Sequence, residues 1–167
     1  MGDSLFFEQP DINSLLEACH DGNLKKVSEI LDQNSDVNHA THSGSAALHI
    51  AAQNGYLDLV NFLLSRGADV NLLTSDGWTA LHFAAQRGYV DVVNVLIKAG
   101  VKVDIAGLRY QRTALHYAAD QGRADVVRAL LAAGANPNLL DISGDNALAI
   151  ANKKSHLETA QLLEPVS

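Results

Sequence analysis

The sequence predicts an all-α solenoid, a row of helix-turn-helix units stacked into one domain, and three observations predict it. First, one four-residue motif returns at a fixed interval: Ala46-Ala47-Leu48-His49, Thr79-Ala80-Leu81-His82, Thr113-Ala114-Leu115-His116 and Asn146-Ala147-Leu148-Ala149 stand 33, 34 and 33 residues apart. Second, each of the first three motifs is followed by a pair of small residues, a glycine and a second apolar stripe. Third, that stripe becomes more polar at both ends of the periodic region, where a finite stack must meet water. A period of this length marks a repeat architecture, in which a unit unable to cover its own apolar face is covered by its neighbours.

The elements follow in order. Residues 1–12 are expected to form an N-terminal arm, with Leu5, Phe6 and Phe7 able to pack on the first unit. An N-terminal cap (13–42) carries the stripe as Lys26, Val27, Ile30 and Leu31, so a lysine stands at its edge. The first full repeat (43–75) has Ala51-Ala52, Gly55 and the stripe Leu59, Val60, Leu63 and Leu64. In the second (76–109), Leu81, Ala84, Ala85 and Gly88 share one helical face, and Val92, Val93, Leu96 and Ile97 share a face of the next helix. The third (110–142) repeats this with Ala118-Ala119, Gly122, Val126, Val127, Leu130 and Leu131. A C-terminal cap (143–163) precedes a short tail (164–167), and the stripe positions there become Thr159, Ala160, Leu163 and Glu164. Small residues on each first helix let the paired helix and the adjoining unit approach closely.

These motifs resemble the ankyrin repeat, whose pattern runs Gly-x-Thr-Pro-Leu-His, Ala-Ala, Gly-His, Leu-Leu and Gly-Ala-Asp-Val-Asn. The closing turn stands here as Gly67-Ala68-Asp69-Val70-Asn71 and as Gly134-Ala135-Asn136-Pro137-Asn138. The resemblance spans residues 13–163 and implies β-hairpin loops between the helix pairs. Ala47, Ala80, Ala114 and Ala147 replace the pattern's proline. The third full repeat departs furthest: one residue is inserted between Gly100 and Thr113, and the hairpin glycine seen at Gly44, Gly77 and Gly144 becomes Gln111. The hairpin Ala106-Gly107-Leu108-Arg109-Tyr110-Gln111-Arg112 should therefore differ in shape from its neighbours.

Composition narrows the function. The chain has 167 residues, one cysteine, and 12 Lys+Arg against 19 Asp+Glu for a net charge of −7. One cysteine excludes a disulfide framework and a multi-thiolate zinc site. Net negative charge argues against a broad surface for nucleic acid or anionic lipid. No run approaches the ~20 apolar residues of a membrane span, and the N-terminus lacks the features of a secretory leader, so a soluble, cytoplasmic protein is expected. There is no phosphate-cradling Gly-x-x-x-x-Gly-Lys and no His-Glu-x-x-His. His49, His82 and His116 lie one repeat apart, roughly 8–10 Å for neighbouring helices, too far to share one ion. The resemblance implies that each bonds its Thr and nearby backbone, more weakly at His49, where Ala46 replaces the Thr. Cys19 aligns with Ala52, Ala85 and Ala119 and reads as a small buried residue. No catalysis, cofactor or metal is expected.

Function then falls to a surface. In ankyrin arrays, hairpin tips and the free face of each first helix line a concave groove where partners dock. Carried over by position, the candidates are His42, Ser43, Ser45, Gln53 and Asn54; then Ser75, Asp76, Trp78, Phe83, Gln86 and Arg87; then Arg109, Tyr110, Arg112, Tyr117, Asp120 and Gln121; and in the cap Ile142, Asp145, Lys153 and Lys154. The single tryptophan is expected at a solvent-facing tip, with Arg109, Tyr110 and Arg112 crowding the next tip. Trp, Tyr and Arg are the residue types enriched in binding hot spots, so the interface is expected across the second and third full repeats, bound by a protein or peptide on a monomeric scaffold. A narrower version has Trp78, Phe83 and Tyr110 around a cationic side chain. Residues 1–36 hold −6 of the charge, which leaves the later arginines on a nearly neutral background and suits a partner with acidic groups. Two alternatives stand beside this reading. Asn71 and Asn138 resemble asparagines that a dioxygenase hydroxylates in ankyrin proteins, and a bacterial effector directed at a host would have the same sequence features as a eukaryotic regulator.

Overall fold

The computed structural model describes residues 12–33 and 35–165. The expected arm, with Leu5, Phe6 and Phe7, lies outside the described residues. Among those described, ten helices run in pairs: α1 (Ile12–His20) with α2 (Leu24–Leu31), α3 (Ala47–Asn54) with α4 (Leu57–Ser65), α5 (Ala80–Arg87) with α6 (Val90–Lys98), α7 (Ala114–Asp120) with α8 (Ala124–Ala132), and α9 (Ala147–Lys153) with α10 (Leu157–Leu163). The first helices pack side by side as an inner row, α1 to α9, and α4, α6, α8 and α10 form an outer row behind them. This is the all-α stack that the period implies.

Each inner helix starts at the repeated motif. Thr79 and Thr113 are extended, and each backbone N–H donates to the Nδ1 of the histidine three residues on, at 3.0 and 3.1 Å. That nitrogen is therefore an acceptor, so the Thr hydroxyl donates to it as well, at 3.0 and 2.9 Å. Ala46 has no hydroxyl to offer, and only its N–H reaches His49, at 3.1 Å. In the last unit Ala149 replaces the histidine, and the Asn146 side chain accepts from its backbone N–H at 2.9 Å. These short bonds occupy helix-end donors that would otherwise be unpaired.

The alanines explain the spacing between units. Ala51, Ala52, Ala84, Ala85, Ala118 and Ala119 are fully buried between inner helices, while Leu63, Leu96 and Leu130 fill the space between inner and outer rows. Lys26 is exposed and Glu164 is exposed, as expected of the two ends, but Thr159 is buried at 1% exposure. The last outer helix thus keeps a covered polar residue at a stripe position, a correction to the reading of that residue as part of a wetted edge.

Hairpins join the pairs as tight turns with isolated antiparallel bridges at Ala40–Ala46 and Ala106–Thr113. In three of them a glycine amide closes the turn onto the residue three before it: Gly44 onto Thr41, Gly77 onto Thr74, Gly144 onto Asp141. The third full repeat closes Gln111 onto Gly107, four residues back, with Gln111 at φ 51°. The inserted residue is thus absorbed inside this hairpin, which is longer than the others, as the sequence predicts.

Candidate functional site

Successive tips are tied by backbone bonds. Ser75 N–H donates to Ser43 O at 2.9 Å, Leu108 N–H to Asp76 O at 2.8 Å, and Ile142 N–H to Tyr110 O at 2.9 Å. The tips therefore form one continuous ridge beside the concave face. Tyr110 is 45% exposed on it, and Leu108 and Ile142 are 72% and 62% exposed, so three large apolar side chains stand on two adjoining tips. The Arg109 guanidinium lies 5.1 Å from the Tyr110 ring centre.

Behind the ridge the tryptophan departs from expectation. Trp78 is half-buried instead of solvent-facing: its ring centre is 4.5 Å from Tyr117, 4.9 Å from Phe83 and 5.6 Å from His82. Burying a large ring against three neighbours outweighs leaving it in water. The aromatic group expected from Trp78, Phe83 and Tyr110 is corrected accordingly. Tyr117, itself buried, meets Trp78, while Tyr110 stays on its tip beside Arg109. What remains open is a groove of about 300 Å³ between the first and second full repeats, lined by Ser43, Ser45, Gln53, Thr74, Asp76, Trp78 and Phe83.

Of the arginines expected at the interface, Arg112 is paired within the chain, whereas Arg87 and Arg109 are exposed and have no ion pair among the described residues. Arg112 Nε donates to Asp141 at 2.9 Å, and its Nη1 lies 3.5 Å from Asp120; Asp120 also has Lys154 at 3.7 Å and accepts from Gln121 at 2.8 Å. Lys153 pairs with Asp145. Burial would raise the Asp141 carboxyl, but the Arg112 bond and the Asp145 and Ser143 amides hold it below the usual value. Arg112 is thus neutralised from within, which withdraws that one arginine from the expected set, while Arg109 stays exposed on its tip. Asp141 escaped the sequence reading. Its signal was positional, because it occupies the hairpin place of Thr41 and Thr74, whose side-chain oxygens accept the same backbone donor.

Other expected positions are placed as follows. Ser75 is exposed but its hydroxyl donates to Ser43 O at 2.8 Å. Gln86 is half-buried and its carbonyl lies 3.4 Å from Arg123 Nε, while Arg87 and His42 are exposed. Asn54 donates to its own helix at Ile50 O, 3.0 Å away. Leu108 was missed, although a large aliphatic residue between Gly107 and Arg109 on a tip was a visible signal.

The histidines and the cysteine are occupied by structure. His49 and His116 direct Nε2 to Leu72 O and Leu139 O, each at 2.9 Å. His82 Nε2 is buried without a hydrogen bond of normal geometry, and burial pulls its pKa down from 6.5 to about 4. Burial pushes the Cys19 thiol up to about 12, the opposite of what a nucleophile needs. Among the described residues no helix is long and apolar enough to cross a membrane, and no three His, Cys, Asp or Glu side chains converge to hold a metal ion. A family model described as ankyrin repeats (3 copies) matches residues 15–107, 48–141 and 106–165. A search of curated proteins gives no match.

Proposed function

The chain belongs to the ankyrin repeat family, whose repeats generally mediate protein–protein interactions without catalysis, and on that footing we propose that it is a scaffold holding one partner protein or peptide. The partner lies along the hairpin ridge of the second and third full repeats and into the adjoining groove between the first and second. The observation that carries this is the line of Leu108, Tyr110 and Ile142, exposed on adjoining tips next to the groove at Trp78 and Phe83. Isolated exposed apolar residues are ordinary, whereas contiguous ones beside a groove favour docking.

The test uses the exposed residues, because Trp78→Ala would also remove contacts inside the fold. Affinity capture with the wild type beside a Leu108→Ser/Tyr110→Ser variant should identify a partner whose binding to the variant is weaker by ~2 kcal/mol or more, with helical circular dichroism unchanged. Equal affinity would move the interface elsewhere.

A second reading concerns Asn138. Asn71 Oδ1 accepts the Lys102 amide at 2.8 Å and Asn38 Oδ1 the Asp69 amide at 2.7 Å, each bracing the following unit. Asn138 occupies the same place in the third full repeat, where its side chain braces no following turn among the described residues, and it is exposed. Of the two asparagines it is the one favoured for hydroxylation. An intact mass lacking one added oxygen after co-expression with an asparagine hydroxylase would count against this.

A further inference from the structure

We propose that the groove between the first and second full repeats receives a cationic side chain, lysine or arginine, from the docked segment. The inference rests on the docking reading above and assigns the chemistry of its occupant.

Three features of the groove point the same way. Asp76 is the only charged residue lining it, is exposed, and has no ion-pair or side-chain hydrogen-bond partner among the described residues. Its backbone carbonyl is fixed by the Leu108 amide at 2.8 Å, so the residue is held at the rim while its carboxylate stays free. The carboxylates on the neighbouring concave surface differ: Asp120, Asp141 and Asp145 are each matched to a cation of this chain. Next, the floor is aromatic. Trp78 and Phe83 stand 4.9 Å apart at 55°, a surface suited to the methylene stem of a long side chain and to attraction between a cation and a ring. Finally, the remaining lining is neutral and polar. Ser43, Ser45, Thr74 and Gln53 supply oxygens that can accept from an ammonium or guanidinium, and among the described residues no cation lines the groove to repel one. An acidic side chain would meet Asp76 with like charge, and an aliphatic one would leave that carboxylate desolvated and unpaired.

The single tryptophan reports directly on this place. Gly-Ser-Gly-Arg-Gly-Ser-Gly and its lysine, norleucine and glutamate counterparts are titrated at constant ionic strength, following Trp78 fluorescence and the indole N–H resonance. The arginine and lysine peptides should give saturable changes that weaken with added salt. Asp76→Asn, at an exposed position, should reduce their affinity roughly 3- to 5-fold, the scale of a partly exposed ion pair. Equal response to norleucine, indifference to Asp76→Asn, or no saturable change with any peptide would overturn the proposal. Leu108→Ser/Tyr110→Ser separates the two readings: it should leave the arginine peptide's binding intact while abolishing capture of the partner. If capture instead fails to depend on the ridge but the groove still selects cations, the docking reading falls and the groove assignment stands.

Discussion

At the scale of single residues, the histidines show how the repeat motif stabilises the stack. Each Nδ1 accepts from the motif's first backbone N–H, so a second proton on that nitrogen would face a donor inside the fold. Burial lowers the pKa of His49, His82 and His116, to about 4 for His82. A folded-state pKa below the unfolded value of 6.5 means stability that is complete above pH 6.5 and lost as pH falls through the folded value. The melting temperature should therefore fall between pH 6.5 and pH 4, with a shallower slope in His82→Gln, measured by circular dichroism. Ala46→Thr should raise stability by about 1 kcal/mol, because Thr79 and Thr113 already hold the bond that His49 lacks. The sequence made this network legible, including its weaker first member. It did not reveal that His82 Nε2 lacks a hydrogen bond of normal geometry, whereas its counterparts reach carbonyls 23 residues ahead at 2.9 Å, a distance in space that the motif alone does not encode.

At the scale of elements, the turn between paired helices fixes the distance from one unit to the next. The ring of Tyr89 lies against Gly55 and that of Tyr56 against Gly22, and a Cβ added at Gly55 would meet the Tyr89 ring at 2.9 Å. Gly67, at φ 86°, has open space around it. Gly67→Ala should thus cost ~1 kcal/mol, the backbone penalty alone, whereas Gly55→Ala should cost ~2 kcal/mol or more because the next unit must also move. Urea denaturation of the two variants separates the contributions. The third hairpin offers the converse test: Gln111 holds φ 51° where the other hairpins have glycine, and Gln111→Gly should stabilise by about 1 kcal/mol. The one-residue insertion was plain in the sequence, but its consequence was not. The longer hairpin carries Leu108 onto the ridge and sets Gly107 against the Trp78 indole, and only three-dimensional adjacency joins those residues.

For the whole molecule, the packed interior and the proposed docking surface lie on different parts of the same stack. Helix pairs hide each other's apolar flanks through Leu63, Leu96 and Leu130, while the ridge and groove remain exposed. The period exposed the first of these almost completely, because core positions repeat. The second was legible only in part: Tyr110 and Asp76 stand where the positional reading put them, but Trp78 and Tyr117 are drawn inward by their mutual contact across two units, and Arg112 by the carboxylates of Asp120 and Asp141 in its own repeat. Such side-chain pairings vary from repeat to repeat and leave no periodic trace. The claim beneath all of this is that each unit is covered by its neighbours alone. Amide hydrogen exchange resolved by helix tests it most directly. Protection should be greatest in α5 to α8, which are flanked on both sides, and should fall stepwise toward α1–α2 and α9–α10. Equal protection across all ten helices, or a maximum at either end, would contradict it.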